Sequence, residues 1–195
     1  MAISLVKGQK ISLAKESGSS SLAKVVMGLG WDPIKPKGFF ASIFSSPKEI
    51  DLDASCALFD DQKRPVDFVW FGQLKSKDGS IVHTGDNLTG AGEGDDEQII
   101  VELQKVPNNV KYLVFTVNSF QGQTFNEIEN AYCRIVNSAN GQEIARYQLS
   151  GGGTHTAMIM AKLYRHEGEW KMHALGEASR GRVVDELIPD MVRLI

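Results

Sequence analysis

One stretch limits what this chain can fold into: Gly85-Asp86-Asn87-Leu88-Thr89-Gly90-Ala91-Gly92-Glu93-Gly94-Asp95-Asp96-Glu97. Between Lys77 and Lys105 lie seven carboxylates, Asp78, Asp86, Glu93, Asp95, Asp96, Glu97 and Glu102, and no Lys or Arg. Taking those seven from the chain's 24 leaves 17 acidic residues against 21 basic, a net of +4 for the remainder. The negative charge is therefore local. Carboxylates about 5 Å apart repel by roughly 3 kcal/mol per pair at an effective dielectric near 20. Such a segment either stays open as a solvated hairpin tip or gathers around a cation. Calcium takes about six to eight oxygens from carboxylates, amide side chains, backbone carbonyls and water. Asp86, Asn87, Glu93, Asp95, Asp96 and Glu97 offer them, and Gly90, Gly92 and Gly94 let the backbone turn its carbonyls inward.

Asp86 to Glu97 has the length of an EF-hand loop, with Asp first and Glu last. The match fails inside, because the third position is Leu88, the fifth is Gly90, and the invariant glycine of the sixth is Ala91. The flanks, Ser80-Ile81-Val82-His83 and Gln98-Ile99-Ile100-Val101-Glu102-Leu103, read as strands and not helices. This is a loop between strands. Two further segments add carboxylates. In Asp51-Leu52-Asp53-Ala54-Ser55, a period of two puts Asp51 and Asp53 on one face and Leu52 and Ala54 on the other. In Gly28-Leu29-Gly30-Trp31-Asp32, an aspartate follows an apolar run where a strand would emerge. Each is suited to a ligand face, but taken alone each reads more simply as an exposed strand-end aspartate.

These segments resemble the TerD family of tellurite-resistance and stress-response proteins. The likeness runs through Gly28 to Asp32, Asp51 to Ser55, and His83-Thr84-Gly85-Asp86-Asn87-Leu88-Thr89-Gly90 into Gly92 to Glu97. Phe125-Asn126-Glu127-Ile128-Glu129-Asn130-Ala131-Tyr132-Cys133-Arg134 and Glu143-Ile144-Ala145-Arg146-Tyr147 are most similar to the TerZ-like branch. The resemblance implies a β-sandwich that binds calcium, commonly two ions close together, through Asp32, Asp51, Asp53, Asp86, Asn87, Asp95, Asp96 and Glu97. It implies a role in resistance to tellurite, phage and pore-forming colicins, protein partners including a membrane-embedded one, and no enzymatic activity. The segment Lys35 to Lys48 and the C-terminal end depart from a minimal member, which leaves partner choice open.

The remaining sequence fits this frame. A chain of 195 residues suits one domain, 1–195, with a core large enough to need no staples. No Lys/Arg cluster supplies the phosphate-neutralising patch that nucleic acid requires. Cys56 and Cys133 sit in strand patterns and read as small core residues of a reducing compartment. No secretory leader and no long apolar run is visible, which points to the cytoplasm; a peripheral place at the inner face of the membrane is what the membrane-embedded partner implied by the resemblance adds. Short strands punctuated by Gly, Asn, Asp and Pro predict a mainly β fold, a two-sheet sandwich. Ile3–Leu5 and Ile11–Leu13 are expected as a hairpin around Lys7-Gly8-Gln9, and Ser17 to Ser21 as a connector. Short helices are expected near Phe125 to Ala131, over Thr156 to Tyr164, and at the C-terminus from Val183 to Val192, where Pro189 must kink or end the helix.

The other chemistry in the sequence is weaker. Phe39, Phe40, Ile43 and Phe44 form either a contact patch or a flap over a sheet. Ser150-Gly151-Gly152-Gly153-Thr154-His155-Thr156 has the glycines of a phosphate cradle but not its lysine. The four histidines lack metal spacing; His83 either orients the acidic loop or is a polar strand residue. A calcium-dependent hydrolase with Trp31 and Trp70 as sugar platforms, and a structural domain merely stabilised by calcium, are the competing functions.

Overall fold

The computed structural model describes residues 2–18, 22–34, 51–85, 94–149 and 152–195. The aromatic segment around Phe39–Phe44 and the loop residues Asp86, Asn87 and Glu93 lie outside them. The strands are β1 (Ile3–Leu5), β2 (Lys10–Ser12), β3 (Lys24–Pro33), β4 (Asp53–Phe59), β5 (Pro65–Val69), β6 (Ile81–His83), β7 (Glu97–Glu102), β8 (Tyr112–Asn118), β9 (Ile128–Asn137), β10 (Glu143–Gln148), β11 (Ala157–His166) and β12 (Glu169–Ser179). They form two six-stranded sheets, ordered β1-β10-β9-β3-β7-β6 and β2-β12-β11-β8-β4-β5. The fold is the expected two-sheet sandwich with a few short helices.

Alternation explains the central strand of the first sheet. Val25, Met27, Leu29 and Trp31 of β3 are buried in the core between the sheets, so Gly28, Gly30 and Asp32 fall on the opposite, outer face. That core also takes Leu58, Ile99, Phe115 and Ile135, and it includes both cysteines, Cys56 and Cys133, as free thiols. The second sheet is covered on both faces. Ala54, Cys56 and Leu58 of β4 enter the main core, whereas Ala57 and Phe59 join Val114, Ile159, Leu187 and Met191 in a second cluster.

The C-terminal segment closes that second cluster. A 3₁₀ turn, Val184–Leu187, runs into helix α2 (Ile188–Leu194), whose first turn contains Pro189. Proline is tolerated there because its missing N–H would have no intrahelical partner. Leu187 and Met191 pack this segment onto the second sheet.

Four expectations are corrected. β1 and β2 are not a hairpin: β1 pairs in parallel with β10 and β2 antiparallel with β12, so the chain crosses between sheets within the Lys7-Gly8-Gln9 turn. Gly8 at φ +84° makes the turn, and its N–H bonds Ala174. Three-residue strands gain more from long partner ladders than from each other. Leu13–Ser17 is helix α1, capped by the Ser12 hydroxyl, so the strand expected over Ile11–Leu13 stops at Ser12. Phe125–Glu127 is a single 3₁₀ turn, after which Ile128 already starts β9. Thr156 to Tyr164 is not a helix but most of β11, so the preceding glycines lead into a strand and not into a helix N-terminus.

Candidate metal centre

The sheets meet at the start of β7. Glu97 turns inward and is 1% exposed. Its Oε2 accepts the Ala54 N–H of the second sheet at 2.6 Å and lies 3.1 Å from His83 Nε2. The Gly85 N–H donates to His83 Nδ1 at 3.2 Å, so the ring carries its proton on Nε2 and donates it to Glu97. His83 therefore fixes both the mouth of the acidic loop and the carboxylate at its end, the first of the two roles open to it.

Asp96 lies at the end of β3. Its Oδ2 accepts the Trp31 N–H at 2.8 Å, while its own N–H donates to Leu29. Burial pushes its carboxyl above the usual range, and the charges of Asp32, Glu97 and Asp95 push the same way, against the Trp31 hydrogen bond. Asp32 receives Asn130 Nδ2 on its Oδ2 at 2.8 Å. Asn130 holds φ at +56° beside a register shift between Gly30 and Asp32, which aims its amide back across the strand pair.

Asp95 has a different setting. Arg134 grips it with Nε to Oδ1 at 2.7 Å and Nη2 to Oδ2 at 3.0 Å, and the Tyr132 hydroxyl and Gln98 amide add bonds of 3.0 Å each. The pair lies flat on the outer face of the first sheet because Gly28 makes room: a Cβ there would stand 2.1 Å from Asp95 Oδ2. Gly30 does the same for the Tyr132 ring, which would be 2.5 Å from an added Cβ. The alternating glycines before Asp32 are thus a seat for two side chains. Burial first, and then Asp95, raises the Tyr132 hydroxyl to about 12, so it stays a donor.

Asp51 and Asp53 are both buried, at 8% and 4% exposure. Gln121 Nε2 donates to Asp51 at 3.2 Å and Asn118 Nδ2 approaches Asp53 at 3.5 Å. They join the cluster through the backbone, since Ala54, next to Asp53, is the residue that Glu97 binds. The structure therefore gathers Asp32, Asp96 and Glu97 at one end of the sandwich, ties Asp51 and Asp53 to it across the sheets, and commits Asp95 to an arginine. Among the described residues no three His, Cys, Asp or Glu side chains stand in ready-made ligating geometry. The donor set is all oxygen, which fits a hard cation such as calcium better than zinc.

Beside Asp32 and Asp96 opens a cavity of about 580 Å³, with Trp31, Asn130, Tyr132 and Arg146 among its walls. Arg146 stacks on Tyr132 with its guanidinium carbon 4.2 Å from the ring centroid. Glu143 bonds both Arg146 and Arg134, which draws its carboxyl below the usual range, Arg146 first. Sequence reasoning gave no role to Asn130, Tyr132, Arg134, Glu143 and Arg146, although all stand in the motifs that carried the resemblance. The period of two shared by Tyr132 and Arg134 was the available signal for one outward face.

The model of the TerD domain matches residues 1–190. The chain belongs to the TerD family. Among TerD relatives, the tellurium resistance protein TerZ of Serratia marcescens is 50% identical over 99% of this chain and 98% of its own. The stress response protein SCP2 of Bacillus subtilis is 42% identical over 96% and 98% of the two chains. The crystal structure of a telluride-resistance protein (TerD) homologue from Streptomyces coelicolor superposes with a TM-score of 0.65 at 21% identity, over 87% of this chain and 97% of that one, which shows a shared fold. The family thus includes proteins named for tellurium resistance and for stress response. Among the described residues no helix is long and apolar enough to cross a membrane.

Proposed function

We propose that the chain is a calcium-binding, non-enzymatic stress-response module, one TerD-type domain that works with protein partners of a tellurite-resistance complex at the inner face of the membrane. Two calcium ions are held by Asp32, Asp51, Asp53, Asp96 and Glu97, with Asp86 and Asn87 from the acidic loop, while Asp95 positions that loop through Arg134. The observation that supports this most directly is Asp96: burial and the like charges of Asp32, Glu97 and Asp95 all raise its carboxyl, a repulsion that a divalent ion removes. The non-enzymatic role rests on relatives named for resistance and stress response.

Partner binding is supported by an aromatic ridge beside Asp51. Trp70, Phe71 and Phe120 stack edge to face, Phe120 is 50% exposed, and the next residue, Gln121, bonds Asp51. An ion at Asp51 thereby connects to a surface that a membrane-embedded partner can read. A purely structural role for calcium is favoured by one feature, the Glu97 bond across the sheets; a site that never empties at cytosolic calcium would establish it.

The test is calorimetric titration of chelator-treated protein with calcium, magnesium as control, together with thermal melting. Micromolar or tighter binding of two ions and a raised melting temperature are expected, with Asp96→Asn weakening binding at least tenfold. No heat and an unshifted melt would overturn the proposal.

A further inference from the structure

The cavity beside Asp32 and Asp96 has walls of opposite charge. On one side stand the two carboxylates; on the other is Arg146, whose position is fixed before any ligand arrives. Its guanidinium lies on the Tyr132 ring, and Glu143 holds Nε at 3.1 Å and Nη2 at 3.0 Å. That leaves Nη1, which makes no hydrogen bond among the described residues. Arginine held in this way presents a donor with little ordering left to lose on binding. The neighbouring Arg134 has no such spare role, because Asp95 and Glu143 take its Nε, Nη1 and Nη2.

We infer that this cavity is a binding site for a small phosphomonoester, held between Arg146 and the cation carried by Asp32 and Asp96. Without the cation, the two carboxylates repel an anion. With it, the carboxylates are neutralised, and the ion offers an anion a coordination position across the cavity from Arg146. A phosphoryl group has three terminal oxygens, one for the guanidinium and others for the ion, and about twice the charge of a carboxylate to engage both. The volume of about 580 Å³ exceeds what inorganic phosphate fills and lies within the range of small-molecule sites. The edge of the Tyr132 ring, which lies between Gly30 and Arg146, supplies the apolar surface for the organic part. The inference rests on the calcium reading for its full strength, and it assigns that site a ligand of its own.

The probe is glycerol phosphate, which stays soluble with calcium, titrated calorimetrically into the calcium-loaded protein. Arg146→Met keeps the stem and leaves Glu143 its Arg134 partner, so the fold, checked by circular dichroism, stands. This substitution is expected to raise the glycerol phosphate Kd at least tenfold while the calcium Kd stays within twofold. A second arm separates the two readings: Asp32→Asn with Asp96→Asn removes the acidic wall, and this variant is expected to bind glycerol phosphate without calcium, unless Arg146→Met is added. If calcium fails to bind and this arm succeeds, the anion site stands and the calcium proposal falls. If calcium binds and glycerol phosphate is bound by neither form, or equally well after Arg146→Met, the inference is overturned.

Discussion

Glu97 and Ala54, 43 residues apart and in different sheets, meet at 2.6 Å through a single carboxylate oxygen. The same oxygen faces the His83 Nε2–H at 3.1 Å, and all of this is buried. Removing the carboxylate strands two buried donors, each of which costs about 1–3 kcal/mol when unsatisfied. Glu97→Ala should therefore destabilise the chelator-treated protein by about 3 kcal/mol in urea denaturation. Glu97→Gln keeps an oxygen for both donors and should cost about 1 kcal/mol, yet lose most of the stabilisation that calcium gives the wild type. A Gln variant as unstable as the Ala variant would show that charge, and not the two hydrogen bonds, joins the sheets.

Gly28 is a test of how tightly Asp95 is placed. An alanine Cβ would sit 2.1 Å from Asp95 Oδ2, and that carboxylate cannot swing away because Arg134 holds both its oxygens. Overpacking of this kind costs about 1–3 kcal/mol. Gly28→Ala should lower the melting temperature accordingly and loosen the end of the acidic loop, read as faster amide exchange at Gly94 and Asp95. An unchanged melting temperature would mean that Asp95 has room the structure does not show.

The Asp95–Arg134 pair sets up a third experiment. The Asp95 side chain is 1% exposed and the Arg134 side chain 26%, so one partner is buried and the other reaches water. Breaking a fully buried pair costs about 3–5 kcal/mol, and the partial exposure of the guanidinium reduces that. Arg134→Met is expected to cost about 2 kcal/mol, part of which Asp95→Asn should restore in the double variant. Purely additive effects in that double-mutant cycle would count against direct coupling.

How far the sequence revealed these features depends on where their partners lie. The strands on either side of the acidic loop, β6 and β7, were legible as short β-branched runs, as in Ile81-Val82 and Ile99-Ile100-Val101. β11 was misread because both its faces are covered: Met158 and Met160 enter the main core and Ile159 the second cluster, so the alternation vanishes into an apolar run. Ala, Met and Leu are also good helix formers, and here sheet pairing overrode them. β12 went unread although Trp170, Met172 and Ala174 alternate with Glu169, Lys171 and His173. In the site, the carboxylates were visible as a local excess of charge. The arginine that takes Asp95 was not, because it lies 39 residues further along and only the β3–β9 pairing brings it near. Composition reports charges but not which of them are already neutralised.

Lys162 carries the last prediction, on pH. It projects from β11 between the rings of Tyr112 and Tyr164, each centroid 5.7 Å from its Nζ, and donates to the Leu194 carbonyl at the end of α2. Burial, and then the charges of Lys10 and Lys63, lower its pKa from 10.5 to about 8. A depressed folded value means that between those limits the unfolded chain binds the proton and the folded chain does not, so stability rises with pH there. The contribution is complete above the unfolded value and is lost as pH falls through about 8. Lys162→Met removes this titration while filling much of the same space. From pH 8 to 10.5, wild type should gain stability relative to Lys162→Met, measured as the difference between paired urea denaturation series. A flat difference across that window would mean that Lys162 keeps its proton in the folded state, held by the two tyrosine rings and the α2 carbonyl.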